Sequence, residues 1–190
     1  EGVEIHVRET LTSRLIQELS EGRIDTAIVA LPVSSPSLTE VPIFSEEFVL
    51  VRPEADRDLP VPSSEALEEM RLLLLEEGHC FRDQALSFCS IRNIEPQHIM
   101  EGSSLSTLVQ MVGAGIGVTL IPEMAVGLET RSADVTIARF QDTPPTRTIG
   151  LIWRKTNPLS ENLLKIGAII RKTAEENNLS AGHGDQTAVY

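Results

Sequence analysis

Residues 12–32 read TSRLIQELSEGRIDTAIVALP, and this stretch decides the fold class. Leu15, Ile16 and Leu19 recur at helical spacing and share one face. Thr12 has the residue type of an N-cap. Gly22 suits the point where a chain leaves a helix, because glycine enters the left-handed region without a Cβ penalty. Ile24 to Leu31 then forms a largely apolar run that stops at Pro32. Such a run predicts a buried parallel strand. Upstream, Val3-Glu4-Ile5-His6-Val7 alternates apolar and polar, as a half-buried strand does. Strand, helix and strand in succession predict α/β layers.

The rhythm continues along the chain. Val41 to Phe44 and Phe48 to Val51 read as short strands, and Pro53 to Pro62 as a charged, proline-interrupted surface connection. Ser63 or Ser64 caps a short helix through Met70, and Leu72 to Leu75 is a buried strand. Helical character is expected over Arg82 to Cys89 and a strand at Ile99 to Glu101. Ser103 or Ser104 then caps a helix carrying Leu105, Leu108, Val109 and Val112. Strands follow at Val118 to Ile121, Val135 to Arg139 and Thr146 to Trp153, with a helical turn at Glu123 to Gly127. In the last strand Ile149, Leu151 and Trp153 alternate. Asn157-Pro158-Leu159-Ser160 precedes a final helix that runs to about Asn177, with Leu163, Leu164, Ile166, Ala168, Ile169 and Ile170 facing inward. The polar tail from Ser180 is expected to be disordered. No internal repeat is present. Two α/β lobes fit this order, with strands near Phe48–Arg52 and Arg147–Leu151 crossing between them.

The chain has 190 residues, enough for one sizeable domain or two small lobes sharing a hinge. Its net charge of −12 opposes binding of this stretch to a nucleic-acid backbone, which needs Lys and Arg to neutralise phosphates. No run approaches the roughly 18 apolar residues of a membrane span. Glu1-Gly2-Val3-Glu4-Ile5 has neither the basic region nor the apolar core of a signal peptide, so a cytoplasmic location is expected. Two cysteines cannot build a disulfide scaffold, and no cofactor is expected.

Those cysteines lie in Gly78-His79-Cys80-Phe81-Arg82-Asp83-Gln84-Ala85-Leu86-Ser87-Phe88-Cys89. The thiolate is the nucleophilic form of cysteine, and nearby cations favour it. Arg82 and His79 flank Cys80, and a helix starting near Phe81 would turn its positive end toward the sulfur. Cys89 lacks a neighbouring cation in sequence and reads as a second, resolving thiol. If the intervening segment is helical, the two backbones stand roughly 13 Å apart at ~1.5 Å per residue. A disulfide needs Cα atoms within about 7 Å, so bond formation would require unwinding. Local oxidation would then become a shape change. Two plainer readings stand beside this one. Either cysteine can be a small buried hydrophobe. A metal set of His79, Cys80, Cys89 and His98 is the other, although its spacings do not match the usual short ligand pairs.

The string Gly-His-Cys-x-Arg-Asp-Gln-Ala-x-x-Phe-Cys at residues 78–89 resembles the peroxide-sensing members of the LysR-type transcriptional regulator family. Glu9, Thr12, Leu15, Leu19, Gly22, Asp25 and Ile28 resemble an early helix and strand of the family's effector domains. Ser104-Leu105-x-Thr107-Leu108, with Met111-Val112 and Ala114-Gly115-x-Gly117-x-Thr119-Leu120-x-Pro122, resembles a helix and strand of their second lobe. Arg147-Thr148-Ile149-Gly150-Leu151 resembles the returning crossing.

The resemblance implies a two-lobe fold like that of periplasmic binding proteins, with a shared two-strand hinge. Lobe I would comprise residues 1–48 and 147–179, lobe II residues 49–146, and 180–190 a tail. It implies that Cys80 reacts with hydrogen peroxide and that Cys89 is its disulfide partner. It places Thr12 in the peroxide pocket, His79, Arg82 and Asp83 around the thiol, and Arg147 near it. It further implies a homodimer of regulatory domains, a tetrameric full-length protein, reduction by a cellular thiol system, and DNA binding through an N-terminal winged helix-turn-helix outside this sequence. Val3 to Val7 resembles the domain's second strand, so the resemblance implies that the first strand, with another pocket hydroxyl, and the first helix lie outside this sequence as well. Ser106 stands where the family carries a carboxylate.

Plain roles compete with these. Thr12 is also a simple helix N-cap, Arg82 and Asp83 a surface ion pair, and Arg147 an ordinary strand residue. Two other functions compete as well. One is an effector domain that binds a small organic acid between the lobes, with Ser103, Ser104 and Thr107 at a helix N-terminus holding the carboxylate. The other is a thiol peroxidase, against which stands the two-lobe rhythm. The reading preferred here is a sensor and not an enzyme.

Overall fold

The computed structural model describes residues 4–63, 66–67, 69–76, 99–140 and 144–177. His79, Cys80, Arg82, Asp83 and Cys89 lie outside the described residues, as do the helix expected at 82–89, His98 and the tail from Ser180.

Helix α1 (Thr12–Ser20) buries Leu19 completely and packs Leu15 and Ile16 beside it against strand β1 (Ala27–Leu31). Its start differs from expectation. Leu11 holds the N-cap position, and Thr12 is the first helical residue. The Leu11 carbonyl accepts the Arg14 and Leu15 N–H groups, each at 3.0 Å, so the turn closes through the backbone. Its end agrees with the sequence. Gly22 has φ +76°, its N–H donates to Leu19 O at 3.1 Å, and Arg23 N–H donates to Glu18 O at 2.9 Å. This is the bond pair of a Schellman turn. Arg154 adds a donor from across the sheet, reaching Leu19 O and, at 3.3 Å, Ile24 O.

The strand expected at Val3–Val7 does not form among the described residues. Residues 4–11 have no regular structure, and Ile5 and Val7 are 70% and 89% exposed. Alternation supplies one apolar face, but a strand also needs a neighbour for its N–H and C=O groups. A second difference concerns β1, which pairs antiparallel and not parallel. Its partner is β7 (Thr146–Arg154), in register from Ala27↔Ile152 to Leu31↔Thr148. Ile28 on its outer face is exposed.

The two short strands expected between Val41 and Val51 are one continuous strand, β2 (Leu38–Pro53). Pro42 and the polar run Ser45-Glu46-Glu47 hide that continuity in the sequence. Proline cannot donate to a ladder, and the register with β7 shifts between Pro42 and Phe44. Helix α4 (Ser160–Glu176) serves this irregularity, because Arg171 donates to Pro42 O and, at 3.2 Å, to Ile43 O.

β2 changes partners along its length. From Leu38 to Glu47 it pairs with β7. From Phe48 to Val51 it pairs with β5 (Thr119–Pro122), and from Leu50 to Pro53 with β6 (Val135–Ala138). Strands β3 (Leu72–Leu75) and β4 (Ile99–Gly102) pair in parallel. β3 approaches β5 through Leu73 N–H to Val118 O at 2.8 Å and Val118 N–H to Arg71 O at 3.0 Å. Gly117 permits this approach, since a Cβ there would lie 2.3 Å from Arg71 O.

Two bodies result, as the α/β two-lobe reading expects. In one, the apolar half of β2 packs with β3, β5 and helix α2 (Leu105–Gly113), burying Phe48, Leu50, Leu73, Leu108, Val112 and Leu120. Each fully buried leucine contributes roughly 1.5–3 kcal/mol. In the other, the sheet β1-β7-β2 is covered by α1 on one face and α4 on the other. Double coverage explains why Gly150 to Trp153 are all buried, where the sequence predicts alternation. α4 buries Leu163, Gly167 and Ala174, with Ile166 and Ile170 half-buried. Leu164, Ala168 and Ile169, expected inward, are exposed. A stripe at 163, 167, 170 and 174 follows the 3.6 period, and those three residues fall off it.

Candidate functional site at the strand crossing

Arg147 stands near the start of β7, directly opposite Glu46 of β2 in the antiparallel register. Its Nε donates to Glu46 Oε1 at 2.7 Å, and its Nη2 lies 2.6 Å from the same oxygen. Both side chains are largely withdrawn from water, with relative exposures of 15% for Arg147 and 2% for Glu46. A buried carboxylate is costly unless paired, and the two guanidinium nitrogens offset part of that cost through the one oxygen they share. The guanidinium carbon also lies 5.7 Å from the centre of the Phe48 ring, within cation–π range. Around it, Ser45 Oγ and Thr148 Oγ1 share a hydrogen bond at 3.1 Å, and Phe48 N–H donates to Pro145 O at 2.8 Å. The cation is therefore held on one edge and one face by strands whose register is fixed on both sides.

Thr12 lies half-buried in the first turn of α1, the helix that packs on β1 and β7. It does not hold the N-cap position. At α2, Ser104 is the N-cap, as the sequence predicts for Ser103 or Ser104. Its Oγ accepts Thr107 N–H at 3.2 Å and shares a hydrogen bond with Thr107 Oγ1 at 3.0 Å. Two of the three hydroxyls weighed for holding an organic acid, those of Ser104 and Thr107, are thus engaged with each other and with the helix terminus. Ser106 hydrogen-bonds Glu129 at the end of helix α3 (Glu123–Glu129), so a carboxylate at 106 would face a like charge there. Among the described residues no group of three or more His, Cys, Asp or Glu is arranged to hold a metal. Nor is any described helix long and apolar enough to cross a membrane.

The sequence reading names Arg147 but misses Glu46 and Phe48. A signal exists: the acidic doublet Glu46-Glu47 borders the strand read as one crossing, and Arg147 begins the other.

The model of the LysR substrate binding domain matches residues 1–175. A probable hydrogen peroxide-inducible genes activator from Mycobacterium avium is 38% identical over 173 residues, covering 89% of this chain and 55% of the relative. The DNA-binding transcriptional dual regulator OxyR of Escherichia coli K12 is 36% identical over 173 residues, covering 89% and 56%. Among solved structures, a hydrogen-peroxide-bound cysteine-to-serine mutant of OxyR from Corynebacterium glutamicum superposes with a TM-score of 0.83 at 30% identity, covering 98% of this chain and 62% of that one. The chain spans little more than half the length of these two sequence relatives, which are named as regulators of transcription and not as enzymes. With the family model covering nearly the whole chain and relatives above one-third identity, the chain belongs to the LysR substrate binding domain family.

Proposed function

We propose that this chain is the hydrogen-peroxide-sensing regulatory domain of a LysR-type transcription factor. Cys80, as a thiolate, attacks one peroxide oxygen. The S–O bond forms as the O–O bond breaks, and the departing hydroxide takes a proton to leave as water. Cys89 then attacks the sulfenic sulfur, an S–S bond forms, and the sulfenic oxygen leaves as a second water. Two thiols are oxidised by two electrons and one peroxide is reduced to two waters. Arg147 stabilises negative charge on the sulfur and on the leaving oxygen. Arg82 and His79 favour the thiolate, with Asp83 beside them, and Thr12 hydrogen-bonds a peroxide oxygen.

The observation that carries this reading is Arg147, a cation fixed by Glu46 and Phe48 at the strand crossing of a chain that also contains the 78–89 cysteine string. The names of the relatives support the same reading. On it, lobe I comprises residues 1–48 and 147–179 and lobe II residues 49–146, with 180–190 as a tail. The disulfide remodels lobe II and the homo-oligomer, a dimer of regulatory domains within a tetrameric cytoplasmic protein. DNA is bound by another domain of that protein, and a cellular thiol reductant resets the switch.

Peptide mapping under non-reducing conditions after stoichiometric hydrogen peroxide tests the proposal. The expected product is an intramolecular Cys80–Cys89 disulfide. Two free thiols after rapid peroxide treatment would overturn the sensor reading.

A further inference from the structure

Glu46 has no part in the chemistry above, yet it is the most deeply buried carboxylate at the crossing, 1% exposed overall. One of its oxygens, Oε1, receives both Nε and Nη2 of Arg147. The other, Oε2, is buried and has no hydrogen-bond partner among the described residues. A carboxylate placed only for stability would be expected to satisfy both oxygens. Here the acid is committed through one oxygen to one edge of one guanidinium. A free arginine side chain has many rotamers, and ordering it costs entropy. The strand register, the Oε1 contact and the Phe48 face remove that freedom in advance. A charge-stabilising donor works best when it is already oriented before reaction.

We infer that Glu46 is the positioning residue of the peroxide switch: it fixes the Arg147 guanidinium on its Nε–Nη2 edge and so sets the rate at which Cys80 is oxidised. Glu46 touches neither sulfur nor peroxide in this scheme. Its charge also partly neutralises Arg147, so it acts by orientation at some electrostatic cost. This separates it from a group that merely supplies field. Removing the charge while keeping an acceptor, as in Glu46→Gln, preserves most of the function. Removing the acceptor, as in Glu46→Ala, does not. The inference rests on the reading of Arg147 given above.

The test is the second-order rate constant of Cys80 oxidation by hydrogen peroxide, followed by quenched thiol labelling. It is measured in the wild type, Arg147→Ala, Glu46→Ala, Glu46→Gln and the double variant Glu46→Ala/Arg147→Ala. Circular dichroism at the assay temperature confirms that each variant is folded. A misplaced donor should cost less than the 10²–10³-fold typical of a deleted one, so Glu46→Ala is expected to slow the reaction about tenfold. Glu46→Gln should recover to within about threefold, and the double variant should be no slower than Arg147→Ala alone. Two results overturn the inference while leaving the role of Arg147 intact: a normal rate in Glu46→Ala beside a slow Arg147→Ala, or a further full loss in the double variant. A normal rate in Arg147→Ala overturns the assigned role of the arginine, and the inference with it. Should Glu46→Ala not fold, Glu46→Gln and Glu46→Asp decide, since an orientation role predicts that a shortened acid is slower than the full-length amide.

Discussion

Gly150 of β7 and Leu31 of β1 meet so closely that a Cβ on Gly150 would stand 2.3 Å from Leu31 Cδ1, and 2.9 Å from the carbonyl oxygen of Val41 on the opposite neighbour, β2. β7, flanked by β1 and β2, therefore has room for glycine alone at this point. The leucine tip can turn away, but the Val41 backbone is tied into the ladder with β7. Gly150→Ala is expected to lower the unfolding free energy by about 1–3 kcal/mol, the usual range for overpacking a tight interior. Urea denaturation should show a lower midpoint at an unchanged m-value. A midpoint equal to the wild type would mean that β1 and β7 separate more readily than their register implies.

Thr12 offers a sharper division between stability and chemistry. The sequence allows it to be an N-cap, which would make its loss cost about 1 kcal/mol. In the structure Leu11 takes the N-cap position and closes the turn through its carbonyl. Thr12→Val keeps the β-branched shape and removes only the hydroxyl. Thermal unfolding should change by less than about 0.5 kcal/mol, the range of substitutions that touch no special feature. Peroxide oxidation of Cys80 should nonetheless slow by about tenfold if the hydroxyl binds a peroxide oxygen, a hydrogen bond of roughly 1.5 kcal/mol. A destabilised variant with a normal rate would return Thr12 to a purely structural role.

What the sequence made legible follows the physics of local signals. Gly22, Ser104 and Pro122 each mark an element boundary through a local backbone requirement, and the structure puts a boundary at each. Leu72–Leu75 was readable because a four-leucine run needs cover on both faces. The misreadings have the opposite character. Residues 4–7 alternate correctly but lack a ladder partner among the described residues, which no window of a few residues can reveal. The direction of β1 depends on β7, more than a hundred residues away. In sequence Pro42 and Glu46-Glu47 look like breaks in β2, whereas the proline sits at a register shift and Glu46 is buried on an arginine. For the candidate site, the resemblance names Arg147, and the structure adds the carboxylate that it pairs with. That partner was not legible, because an acid buried for one contact resembles any surface acid in sequence.

Ser104 separates the two functions weighed for α2. Its Oγ accepts Thr107 N–H at 3.2 Å, which satisfies one of the unpaired donors at the helix start. Ser104→Ala should therefore cost roughly 1 kcal/mol of stability. The rate of Cys80 oxidation should stay at the wild-type value, because nothing in the proposed chemistry uses this hydroxyl. If α2 instead held an organic acid, small carboxylates would raise the melting temperature of the wild type and not of the variant. A titration with acetate and benzoate, followed by thermal shift, checks this, and no carboxylate-dependent shift is expected in either protein.

The unequal roles assigned to the two thiols predict different products from different variants. In Cys89→Ser, Cys80 still meets peroxide but has no thiol to condense with. It should accumulate as a sulfenic acid, captured by a dimedone adduct on the peptide containing Cys80. At excess peroxide the same sulfur should proceed to the sulfinic acid, which a thiol reductant does not restore. In Cys80→Ser, Cys89, whose immediate neighbours Phe88 and Ser90 carry no charge, should remain reduced at the dose that oxidises the wild type. The wild type should form no lasting sulfenic acid, since Cys89 intercepts it, and dithiothreitol should return both thiols. Quantitative mass spectrometry of the two cysteine peptides distinguishes every one of these products. Equal oxidation of Cys89 with and without Cys80 would reverse the assignment, because the thiol that reacts first is the one whose surroundings stabilise the thiolate.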